Sequence, residues 1–150
     1  MIRSATRFFC LNVVLPIFLG GLIYTLFRGK NILLFKWYED VGIFEIIMQI
    51  RIYFNPNDMV VSNFLTQNLP DGLWVFSFTS CLLLIWERSA SKQKKIYFFI
   101  PIFLSILSEF LQLLNIVNGT FDWWDILFYI FFTYLATKIY NKCYEQKKFS

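Results

Sequence analysis

The stretch SEFLQLLNIVNGTFDWWDILFY, residues 108–129, sets Glu109, Gln112, Asp122 and Asp125 into a run otherwise made of Leu, Ile, Phe and Trp. On a helix, side chains three and four residues apart share a face. At 100° per residue Ser105, Ser108, Glu109, Gln112 and Asn115 fall within roughly 120° of one another. Asp122, Asp125, Tyr129 and Thr133 recur at the same spacings and form a second polar stripe. Asp71, directly after Pro70, opens another apolar segment and can join them.

Converged carboxylates have few uses. They can hold a hard cation such as Mg²⁺ against a lipid phosphate, which would make the protein a membrane enzyme. They can also form a non-catalytic site that binds an envelope lipid, a cationic group or a partner protein, or they can share protons. A third reading is a small subunit of a larger membrane complex, with its aromatic helices as the interface. Histidine is absent, and Cys10, Cys81 and Cys143 lie far apart. Serine–histidine catalysis is therefore excluded, and zinc and disulfide chemistry lack support. No catalytic residue can be assigned, and no glycine-rich phosphate loop is present.

The elements that must position these acids are those of an integral membrane protein. Hydrophobic residues make up 57% of the chain and charged residues 16%, in 150 residues. The mean hydropathy is +0.54, and the apolar residues come in blocks. We read one all-α membrane domain over residues 1–150, with four transmembrane helices at about 8–27, 71–86, 96–117 and 123–140. The first is an uncleaved span in which Pro16 and Gly20-Gly21 allow a kink or a close helix approach. Between the first two spans, VGIFEIIMQIRIYF (41–54) is too short to cross and reads as an interfacial or re-entrant segment, helix or strand left open.

Ten of the fourteen Lys and Arg residues sit in residues 1–7, 87–95 and 138–150, which places these flanks and both termini in the cytoplasm and argues against a nucleic-acid surface. The turn NGTFDWWD has no basic residue and belongs outside. Glu109 then lies about 20 Å along the third helix from Ile96, inside the outer leaflet. A carboxylate there costs on the order of 2–3 kcal/mol if it faces lipid, so it should face inward. Its positive partner is sought among Arg28, Lys30, Lys36 and Arg51. The plainer alternative has Glu109 and Gln112 joining helices while Asp122 and Asp125 cap the fourth.

The acid-bearing stretch resembles the signature of the VanZ-like family of small bacterial membrane proteins. In that pattern an intramembrane glutamate is followed three residues later by glutamine, then by a turn and two aspartates. Glu109, Gln112, Asp122 and Asp125 stand in those places, and Asp71 matches an acid at the start of an earlier span. The likeness covers residues 70–137. It departs at Asn118-Gly119-Thr120, where an arginine is usual, at Gly72 and Val75 in place of lysine and histidine, and at Tyr129 in place of asparagine. The resemblance implies a bacterial inner-membrane protein with a cell-envelope role, including response to glycopeptide antibiotics, and supplies no reaction.

Overall fold

A computed structural model of the chain describes residues 2–29, 33–54, 63–86 and 91–145. Every described element is helical. The first rod joins α1 (Ile2–Phe9), a π-helical segment (Cys10–Val14) and α2 (Leu15–Phe27). Two short helices follow, α3 (Leu33–Asp40) and α4 (Phe44–Phe54), and then three long ones: α5 (Asn63–Ile85), α6 (Ser91–Leu113) and α7 (Trp123–Glu145).

The long rods run alternately up and down. One end of the bundle gathers Phe8, Leu83 and Tyr140; the other gathers the end of α2, the starts of α5 and α7, and the end of α6. The loop between α6 and α7 marks this second end. α5 lies at the centre, packed on α7, α2 and α6. Half of its span-length stretch is buried, against 11% for that of α6.

Small polar side chains are buried among the apolar core residues, while large apolar ones face outward. Ser77, Thr79 and Ser80 are fully buried, while Phe18 is 64% and Phe103 63% exposed. Such a surface needs a hydrocarbon solvent. Three helical stretches are long and apolar enough to cross a membrane: Ala5–Phe27, Leu65–Ile85 and Ile96–Leu113. α7 has the length, but its tyrosines, Asp125 and Lys138 leave it less apolar.

Close approaches set the packing of α5. A Cβ at Gly20 would come within 2.9 Å of Trp74 Nε1 and 3.3 Å of the Pro70 carbonyl, so α2 and α5 nearly touch there. Gly21 beside it faces open space. On the other flank a Cβ at Gly72 would meet the Phe132 ring at 2.5 Å, and Phe132 packs with Phe76 and Ala136. The π segment lies one residue before Pro16, which has no N–H to continue the ladder. The Val13 carbonyl accepts the buried Ser77 hydroxyl at 2.7 Å.

Several boundaries differ from those expected. α5 runs straight through Pro70, so Asp71 stands inside a helix rather than at its start. Prolines are tolerated in spanning helices when neighbours or side chains serve the freed carbonyl. α6 ends at Leu113, where Asn115 at φ 55° donates to the Gln112 carbonyl and Ile116 to that of Leu111. This left-handed cap takes Asn115 out of the α6 stripe and brings Glu109 to one turn from the helix end. The basic loop after α5 is shorter than its charges suggested, because residues from Ser91 onward are helical; residues 87–90 lie outside the described residues.

Residues 41–54 are helical. Gly42, at φ 76°, closes α3 with the same cap geometry, and α4 follows at once. Side chains fasten this helical hairpin to the end of α2. Arg51 donates from Nη1 to the Thr25 carbonyl and from Nη2 to the Arg28 carbonyl at 2.8 Å. Thr25 and Tyr38 share a hydroxyl hydrogen bond of 2.8 Å.

Candidate functional site

Glu109 is 2% exposed. The Tyr129 hydroxyl donates to its Oε1 at 3.0 Å, and the Asp122 backbone N–H donates to its Oε2 at 3.3 Å. Both carboxylate oxygens are therefore bound from the α7 side, which is how a helix-borne acid is accommodated in an apolar bundle. Tyr129, an expected member of the α7 stripe, becomes the buried partner of that acid.

Asp122 caps α7: its Oδ1 accepts the Trp124 N–H at 2.9 Å, satisfying one of the amides that a helix start leaves open. Asp125, one turn in, does something different. Its Oδ1 is shielded from solvent and meets no hydrogen-bond donor among the described residues. A shielded acceptor oxygen is costly to leave without a hydrogen bond.

Asp71 faces these acids from α5. Its nearest cation is Arg28, just beyond the end of α2, with Nη2 3.8 Å from Oδ2. The Arg28 guanidinium lies 5.1 Å above the Tyr24 ring and donates to the Gln67 carbonyl at 3.4 Å. The pair is partly exposed, with side chains 33% and 21% accessible, so it positions charge more than it stabilises the fold. Of the other basic candidates, Arg51 is spent on the α2 carbonyls, Lys36 is exposed, and Lys30 lies outside the described residues.

One cavity of about 660 Å³ joins all of these groups. Asp71, Glu109, Gln112, Asp122 and Asp125 line it together with Arg28, Tyr24, Asn68 and Tyr129. Gln112 also supports the wall: a Cβ on Gly119 would stand 2.5 Å from its Oε1, and Gly119 has φ 151°. The α6–α7 loop thus closes over the Gln112 side chain, at a position that only glycine fills. Ser105 from the α6 stripe lines a separate hollow with Val13, Ser77 and Cys81.

Sequence reasoning passed over Tyr24 and Asn68. Asn68, 2% exposed, stands three residues before Asp71 on α5, and that spacing was a readable signal. Tyr24 could not be found in this way, because only the packing of α2 brings it to the cavity.

Four carboxyls against one guanidinium give the cavity a deficit of positive charge and a surplus of acceptors. The arrangement suits a ligand with a positive charge and several N–H donors. Among the described residues no three His, Cys, Asp or Glu side chains are grouped closely enough to hold a metal ion.

Fold and site together have the character of a multi-pass, all-helical membrane protein with an acidic cavity at one end of its bundle. No family model, curated protein or solved structure matches the chain.

Proposed function

We propose that this is a VanZ-like bacterial inner-membrane protein of four spans, both termini cytoplasmic, whose cavity opens at the outer face and binds a cationic, amine-bearing group of a cell-envelope component. The observation that carries the reading is the cavity itself, where Asp71, Glu109, Asp122 and Asp125 meet opposite Arg28. α7 serves as the fourth span, its Trp123 and Trp124 at the boundary suited to membrane-interface residues. The basic ends of α6 and α7 then face the cytoplasm, and the loop NGTFDWWD faces out. The protein acts by binding rather than catalysis, and a role in the response to envelope-directed antibiotics follows from what such a component would be.

Binding is tested by thermal unfolding of the detergent-purified full chain with ethanolamine, O-phosphoethanolamine or acetate. A ligand that binds only the folded form raises the melting temperature by mass action. The two amines should raise it and acetate should not, and Asp125→Asn should abolish the rise. Equal melting temperatures with and without both amines would remove the reading.

A further inference from the structure

A second cavity, also of about 660 Å³, lies against the first. It is a groove between α2 and the α3–α4 hairpin, walled by Phe18 and Leu22 of α2, Trp37 of α3, Ile47 and Ile50 of α4, and Trp74 of α5. Its lining is hydrocarbon and aromatic, without a charged side chain. Tyr24 belongs to both cavities. Leu33 lines the acidic one and Leu34 the apolar one, so the start of α3 straddles the boundary.

The hairpin is fastened where the two cavities meet. Arg51 holds the Thr25 and Arg28 carbonyls, and the Thr25 hydroxyl meets Tyr38. Arg28, whose backbone is gripped in this way, turns its guanidinium over Tyr24 into the acidic cavity. A molecule crossing the boundary at Tyr24 would pass from hydrocarbon walls to one guanidinium and then to four carboxyls, an order that fits a tail, a phosphate and an amine.

We infer that the two cavities form one site for a phospholipid with a primary-amine headgroup: the amine among Asp125, Glu109 and Asp122, the phosphate at Arg28, and an acyl chain in the α2–α3–α4 groove. This rests on the binding reading above and adds to it the ligand's class and the place of its chain. Charge selects the headgroup, because four acids disfavour an anionic lipid that lacks the amine. The groove selects a chain-bearing molecule over a soluble amine. The hydrocarbon contact adds little by itself, since lipid tails are already in an apolar medium; what the groove contributes is a fixed position for the headgroup.

Gly21 makes the inference testable. It lines the groove, and a Cβ there meets nothing within 4 Å, so a larger side chain fills the groove without displacing backbone. Native mass spectrometry of the detergent-purified full chain would be run with dioleoyl phosphatidylethanolamine and dioleoyl phosphatidylglycerol. Variants would be Gly21→Leu, Asp125→Asn and, as a bulk control on the lipid-facing surface of α6, Phe103→Trp. Wild type and Phe103→Trp should retain the ethanolamine lipid about tenfold over the glycerol lipid. Gly21→Leu should lose retention of both while keeping its stabilisation by soluble O-phosphoethanolamine. Asp125→Asn should lose the preference between them.

Stabilisation by the soluble amine with unchanged lipid retention in Gly21→Leu would overturn the groove assignment and leave the binding reading standing. Equal retention of the two lipids by wild type, or loss in Phe103→Trp as large as in Gly21→Leu, would show ordinary surface lipid and overturn the inference. Retention of a lysine-rich peptide in place of the lipid would do the same. If neither lipid nor amine binds, both readings fall together.

Discussion

The Tyr129 hydroxyl donates to Glu109 Oε1 across 3.0 Å, tying α7 to α6 at a carboxylate that is 2% exposed. The span-length stretch of α6 is only 11% buried, and this bond gives it a polar tie to α7 beside the cavity.

Removing that donor leaves a buried carboxylate oxygen without its partner. Tyr129→Phe should destabilise the folded protein by about 1–3 kcal/mol, read as a lower melting temperature in detergent. Glu109→Gln keeps an acceptor for Tyr129 and relieves repulsion among the acids, but turns an NH2 toward the Asp122 N–H. It should melt close to wild type while losing stabilisation by amines. A Tyr129→Phe protein as stable as wild type would show that the bond is not made.

The fit of Phe132 over Gly72 should be sharp. Gly72→Leu forces a side chain into the Phe132 ring, and overpacking of this kind costs about 1–3 kcal/mol. Adding Phe132→Ala opens space for the new side chain. The double variant should recover part of the loss, and the non-additivity of the cycle measures the contact. Strict additivity would place the two helices further apart than described.

Arg51 should hold the α3–α4 hairpin without supporting the rest of the bundle. Arg51→Ala removes two bonds to the α2 carbonyls. Amide exchange should rise across residues 33–54 and at the end of α2, with α5 and α7 unchanged. Uniform acceleration throughout the chain would instead give Arg51 a global role.

Divalent ions should leave stability alone. Among the described residues no three of the acids are grouped closely enough to hold a metal ion. Millimolar Mg²⁺, Mn²⁺ or EDTA should not shift the melting temperature. A rise with Mg²⁺ that Asp125→Asn abolishes would bring back a metal-dependent enzyme.

Membrane placement can be read from thiol labelling in intact cells. Cys143, exposed near the end of α7, should react with an impermeant maleimide only after permeabilisation. Asn118→Cys in the α6–α7 loop should react without it. Labelling of both from outside would mean that α7 does not cross.

The pattern of residue types alone determined the helical class, the first three spans and the polar faces of α6 and α7, because a block of about 20 apolar residues has few other fates and side chains three and four apart must share a face. Glu109, Gln112, Asp122, Asp125 and Asp71 were legible as a group for that reason. The roles within the group were decided only by tertiary structure. Asp122 became a helix cap, Glu109 was bound on both oxygens, and Asp125 Oδ1 was left with no donor among the described residues. Nothing local distinguishes these three acids, since their roles depend on which groups of other helices come within hydrogen-bond reach. The same holds for the basic partners. Arg28 and Arg51 look alike in sequence, yet the folding back of α3 and α4 commits Arg51 to the α2 carbonyls and leaves Arg28 at the cavity. Local pattern also misplaced Pro70 and Asn115. A proline reads as a break until neighbouring helices support its turn, and a left-handed cap ends a helix whose apolar run continues beyond it.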